Sequence, residues 1–450
     1  MTFISDWKHW LKAKQTPATS WADQRRNEAL ELIASAEQNG TWAELCRNSN
    51  GFVREVAVRR LCDSPSPEAL QELVERLNDW VPQVRDVAAT GVQTYLTTAH
   101  VEALLFALDA FIALEVRQRA NHGATLAQVR AVLQSADVRE AVHACFIARH
   151  GRTARFLFAV LLGADASPEQ LLRDALVHRD LTVRVAAVGA CAQLSPDQAC
   201  VLLEQALRQS AARVRLGALQ ALLPLAQDPL PALRQALLDA SPAVRSLARW
   251  HAPRHGLEAS AVLAEQLQQA MPTSKRHWLA VLGLAAELDV ELPEAWWKAA
   301  LHCGYSSVRL AAVSLPGERP LADLLEALED PSDKVFAALI ARLDKLPWAT
   351  TNMQVGVFLR TQWPQMGAPR AHQVLALLPA WQQVAYLLER QDGEAGVQAH
   401  WLEEIAQWCQ RQYRIVDPVT SKEQRAALIA RLEDLARQGL IDRHGIARLV

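Results

Sequence analysis

Apolar residues fall along this chain in helical stripes. Val183, Ala186, Ala187, Ala190 and Leu194 stand at i, i+3, i+4, i+7 and i+11, one face of an amphipathic helix. Val53, Val56, Ala57 and Leu61 repeat the pattern, as do Val214, Gly217, Ala218, Ala221 and Leu222. Alanine and glycine in mid-stripe let two helices approach closely. A leucine-rich helix precedes each of these, as in Leu70-Leu73-Val74-Leu77, Leu171-Leu172-Ala175-Leu176 and Leu233-Ala236-Leu237. Several such starts carry serine, proline and an acid: Ser66-Pro67-Glu68, Ser167-Pro168-Glu169 and Ser195-Pro196-Asp197. Serine supplies a cap oxygen, proline fits the first turn, and the acid favours the positive helix end. Ser241-Pro242 opens the second helix of its pair in the same way. The predicted unit is helix, turn, helix.

The second helices open on a recurring Val-Arg. It stands at 53, 84, 116, 183, 214, 244 and 308, with steps of 31, 32, 67, 31, 30 and 64. The long steps are each about two short ones, so the period marks stacked repeats. A step of 31 from Val244 reaches Lys275-Arg276, followed by Trp278, Leu279, Leu282 and Ala285, a second helix without the valine. Val335-Phe336 follows Asp330-Pro331 in the same role. Thr153 to Leu162 fills the beat expected near 150, and Val138-Arg139, off the beat, reads as the first helix of that pair. Residues 115–134 read as one long helix, kinked around His122-Gly123.

Asp239-Ala-Ser-Pro-Ala-Val244-Arg245-Ser-Leu-Ala248 resembles the HEAT-repeat signature in its short bacterial form, as in phycobilin-lyase-type HEAT proteins. Asp79-Trp-Val-Pro-Gln-Val84-Arg85-Asp-Val-Ala88 fits the same frame. The resemblance implies an all-α fold, an α-α superhelix of antiparallel helix pairs. It covers roughly residues 40–346. Residues 1–39 read as N-terminal capping helices, with Phe3, Ile4, Trp7, Trp10 and Leu11 on one face. Residues 347–450 read as degenerate repeats and a C-terminal cap, ending in a charged helix from Ser421 to Arg437.

The resemblance also implies that an aspartate six residues upstream pairs with the beat arginine in ladders between repeats. Asp79 with Arg85, and Asp239 with Arg245, fit that structural role. Arg54, Arg184, Arg215 and Arg309 have Asn48, His178, Gln209 and Cys303 at the matching positions, so these four read as free guanidinium groups for phosphates or an acidic partner. Trp80, in a turn, and the adjacent Trp296 and Trp297 read as aromatic anchors.

Composition narrows the function. A net charge of −2 gives no global basic excess of the nucleic-acid-binding kind. Seven scattered cysteines without Cys-x-x-Cys favour reduced thiols and a cytoplasmic setting. No run of about 20 apolar residues offers a membrane span, and the start lacks a secretory pattern. No His-Glu pair, phosphate-cradling loop or nucleophile elbow appears, and Pro253 disrupts the spacing of His251 and His255. No catalytic residue, metal site or cofactor is expected. The expectation is a non-enzymatic scaffold holding a protein or peptide partner in the solenoid groove. HEAT-like alkylpurine glycosylases, which act on DNA, and phycobilin lyases are the alternatives that the resemblance offers.

Overall fold

A computed structural model describes residues 21–446, apart from 364–365, 394–397, 413–414, 416 and 418. The capping face expected at Phe3 to Leu11 lies outside the described residues. The fold is all-α, of the α-α superhelix class, without strands among the described residues. The chain divides into two compact units, Met1–Pro229 and Leu230–Val450.

Each unit is built from helix pairs. In the first, Pro67–Arg76 pairs with Pro82–Tyr95, Arg139–Ala148 with Gly151–Ala164, Glu169–Leu176 with Leu181–Ala190, and Pro196–Leu207 with Ala212–Leu222. In the second, Leu230–Leu237 pairs with Pro242–His251, and Glu294–Leu301 with Ser306–Ser314. Second helices also pack on one another. Gly51–Asp63 lies against Pro82–Tyr95, and Leu181–Ala190 against Ala212–Leu222. The beat valines Val53, Val84, Val183, Val214, Val244 and Val308 are all buried in these seams. Ser66 Oγ accepts from Ala69 N–H at 3.1 Å, capping its helix with Pro67 in the first turn.

Small residues set how closely helices stack. Gly91 has no room for a β-carbon: one would fall on Cys62 Sγ and stand 3.1 Å from Leu73 Cδ1. Gly189, on a helix of the same kind, faces open space.

The pattern fails over 115–134. The helix Leu108–Leu114 ends there, residues 115–122 are irregular, and a new helix spans Gly123–Leu133. Val116 is exposed, so the Val-Arg at 116 is a coincidence and not a beat. Buried Asn78 holds this loop instead. Its Oδ1 accepts from Arg119 N–H at 3.0 Å and lies 3.4 Å from His122 Nε2. The three filled beats are helical, as Gly151–Ala164, Lys275–Glu287 and Asp333–Leu343. Past Pro347, Trp363, Trp381, Trp401 and Trp408 are buried core. The last long helix, Lys422–Arg437, carries a reciprocal cap between Ser421 and Gln424.

These packing differences set opposite signs for one substitution. Gly91→Ala gains helix propensity but overpacks the seam, and should lower stability by about 1–3 kcal/mol. Gly189→Ala should raise it by about 0.5–1 kcal/mol. Urea-unfolding midpoints of the two variants check this directly.

Candidate functional site

The beat arginines make a recurring set of polar contacts along the described residues. Arg54 is 2% exposed. Its Nε and Nη2 donate to Asp79 Oδ2 and Oδ1 at 2.8 and 2.7 Å. Its Nη1 donates to the carbonyls of Asn48 and Ser49 at 2.8 and 3.2 Å. Asp79 Oδ1 also accepts from Val81 N–H at 2.9 Å. One guanidinium therefore closes the turn of its own repeat and ties it to the turn of the next.

The six-residue relation is to a backbone oxygen. Nη1 of Arg85, Arg215, Arg245 and Arg309 donates to the carbonyls of Asp79, Gln209, Asp239 and Cys303, at 2.8, 2.8, 2.7 and 2.8 Å. A carbonyl is present whatever the side chain, so losing the upstream aspartate does not free the arginine. This corrects two expectations. Asp79 pairs with the preceding repeat's Arg54 rather than with Arg85. Arg54, Arg215 and Arg309 are not free groups: the first two are buried, and Arg309 chelates Asp330 at 2.5 and 2.9 Å. Arg245 finds its carboxylate on Glu287, three bonds of 2.5–3.1 Å, and lies where a β-carbon on Gly283 would stand. Asp239 Oδ2 is 3.4 Å from Arg276.

Other residues supply the same bonds where the expected ones are missing. Arg155, without a preceding valine, donates to Asp180 at 3.3 and 3.2 Å. His178 stands where Asp79 does: its Nδ1 accepts from Asp180 N–H at 3.0 Å, and its Nε2 therefore donates to the Phe146 carbonyl at 3.1 Å. Phe336 occupies the arginine position of its repeat. Arg370 lies 4.7 Å above the Phe336 ring, and its Nη1 donates to the Asp330 carbonyl at 2.6 Å. The sequence signal for Arg155 is its aspartate 25 residues on, the separation of Arg54 and Asp79. Arg370 carries no such local signal.

Trp296 and Trp297 are both buried, at 5% and 0% exposure, which corrects their reading as anchors. Trp297 Nε1 donates to the Ala312 carbonyl at 3.0 Å, and Trp296 packs edge-on against Trp278. A short helix covered on two sides buries neighbouring positions together. Trp80 is 63% exposed, with the Arg54 guanidinium 5.2 Å from its ring centre. Phe52, two residues before Arg54, is also exposed. Arg184 differs from the other beat arginines: its Nε is shut off from solvent and has no hydrogen-bond partner among the described residues, a state shared by Nε of Arg76, Arg249 and Arg319. The structure does not join Trp80 and Arg184 in one pocket.

Burial raises the Cys46 thiol to about 12, and those of Cys191 and Cys409 to about 11, the behaviour of core residues. No group of three or more His, Cys, Asp or Glu among the described residues could hold a metal ion. No described helix is long and apolar enough to cross a membrane.

No protein-family model matches this chain. No curated protein matches it. Among solved structures, an engineered protein known from its crystal structure is similar over 91% of this chain and 96% of its own, at 14% identity and a TM-score of 0.19. Values this low carry no argument.

The rungs set an acid limit on stability. Burial alone would raise the Asp79 carboxyl, but Arg54 and the Val81 N–H outweigh it and hold it below the ordinary 3.8. Asp180 and Asp330 are lowered in the same way by Arg155 and Arg309. Each binds its proton more weakly folded than unfolded. Their contribution is therefore complete above 3.8 and is lost as pH falls through the lower folded values. Asp79→Asn strands a buried guanidinium and should cost about 3–5 kcal/mol at pH 7. It should also flatten the fall below pH 4, read from urea midpoints across pH 2–7.

Proposed function

We propose that the chain is a non-enzymatic scaffold of HEAT-type repeats that holds a protein partner at an exposed turn of the first unit. The single observation carrying this reading is Trp80. A tryptophan so exposed is an unusual thing to keep on a turn. It is also ordered before any partner arrives. Arg54 lies against its ring, and Arg54 is itself fixed by Asp79 and two carbonyls. An anchor immobilised in advance loses less entropy on binding. Tryptophan and arginine are the residues that most often dominate interface energies. Phe52, on the same helix as Arg54, is a second exposed aromatic side chain of this unit. HEAT-type assignment is supported by the recurring link from a buried arginine to its own turn and to a carboxylate of the next pair.

The test uses the full chain as bait. A protein recovered by wild type should bind Trp80→Ala at least roughly thirtyfold more weakly, a loss of about 2 kcal/mol. Trp250→Ala, at an exposed tryptophan of the second unit, should leave that affinity unchanged. Equal affinity of wild type and Trp80→Ala for every recovered protein would sink the reading.

A further inference from the structure

Trp250 is about as exposed as Trp80, at 61% against 63%. It also carries an arginine. The Arg254 guanidinium lies 3.5 Å from its ring centre, and Arg254 Nη1 donates to the Trp250 carbonyl at 2.8 Å. Ring and carbonyl together fix the guanidinium, while Arg254 itself is exposed. Arg54, Arg60 and Arg130 also lie on aromatic rings, and each meets a carboxylate, of Asp79, Glu37 and Glu115 in turn. Arg254 lies nearer its ring than any of these and meets no carboxylate among the described residues.

The surroundings explain why. No Asp or Glu lies between Asp239 and Glu258. Glu287, the acid that this helix receives from elsewhere, takes three bonds from Arg245 and lies 3.2 Å from Arg249. What stands beside Arg254 is basic. The His251 ring is nearly perpendicular to that of Trp250, with 4.6 Å between centres. Burial, then the charges of Arg254 and His255, lowers the proton affinity of His251. In a chain of net charge −2 this is a local positive patch built around an apolar ring.

We infer that the Arg254 guanidinium, held on the Trp250 ring, binds a side-chain carboxylate from an acidic segment of a protein partner. The planar fork matches two carboxylate oxygens, as Arg54 and Asp79 show within this chain. A guanidinium fixed in advance loses less entropy on binding than a freely moving one. A nucleic-acid strand fits less well. Arg254 and His251 already lie against the indole, so the ring supports a cation rather than offering a face to a base. This surface belongs to the second unit and does not depend on the Trp80 reading.

Fluorescence anisotropy of a labelled decaglutamate peptide with the full chain at low salt tests it. Wild type should bind, and Arg254→Gln should weaken binding by about tenfold. Arg254→Lys keeps the charge but loses the fork, and should weaken it by roughly threefold. Trp250→Leu keeps every charge but removes the ring that holds the fork, and should weaken it to a similar degree. Lys334→Gln, which removes an equal charge at an exposed site of the same unit, should leave binding unchanged. Both substituted positions of the patch are exposed, so the variants should unfold at the wild-type urea midpoint. No binding by wild type, or full binding by Arg254→Gln, overturns the inference. So does wild-type binding by both Arg254→Lys and Trp250→Leu, or an equal loss in Lys334→Gln, since either makes the recognition one of charge alone. Tighter binding of an equally charged single-stranded oligonucleotide, lost in Arg254→Gln, would place a nucleic acid here and overturn it too. A Trp80-dependent partner that persists through any of these failures leaves the scaffold reading standing, and its absence would not touch this patch.

Discussion

A guanidinium that reaches a carbonyl six residues behind it is the constraint on which these repeats depend. The turn between two paired helices leaves backbone oxygens without helical partners. Burying them uncovered would cost more than most single contacts return. Arg54, Arg85, Arg215, Arg245 and Arg309 cover those oxygens at 2.7–2.8 Å. With Nη1 engaged, Nε and Nη2 of the guanidinium are left facing outward from the turn. In Arg54 and Arg309 a carboxylate of the following pair takes them. One side chain thus makes the turn and fixes the step to the next turn.

Much of this is legible in the chain. The stripes at i, i+3, i+4 and i+7 identify core helices because burial follows the 3.6-residue period, and Val53, Val183 and Val214 are buried accordingly. Capping signals locate helix starts for the same local reason. For the ladder, the resemblance implies the right residue types and the wrong register. It ties Asp79 to Arg85, whereas the carboxylate meets Arg54. A side chain six residues upstream is visible in a sequence, but a carbonyl is not, since every residue has one. The loop at 115–122 is hidden for a related reason: its support, Asn78, sits 41 residues from Arg119. Trp296 and Trp297 mislead because adjacent positions point apart on an isolated helix, yet a helix packed on two sides buries both.

Stability in such a chain is a sum over neighbours. Each rung joins one pair to the next, so a lost rung weakens one seam and leaves distant ones intact. The seams are not equivalent. Gly91 admits its neighbours to the limit of contact, while Gly189 faces open space. Arg245 uses Glu287, on the helix Lys275–Glu287, and requires Gly283 beside it. Local solutions of this kind accommodate unequal repeats without breaking the stack.

The exchange between Phe336 and Arg370 carries this further. The guanidinium has left its usual place in the repeat, yet the Asp330 carbonyl is still covered, and the arriving arginine rests on the ring that displaced its predecessor. What the molecule keeps from repeat to repeat is a bond and not a letter. Position by position, the chain shows a lost arginine at 336 and an unremarkable one at 370. Together the two residues make one unbroken element, and the information that identifies it lies in neither position alone.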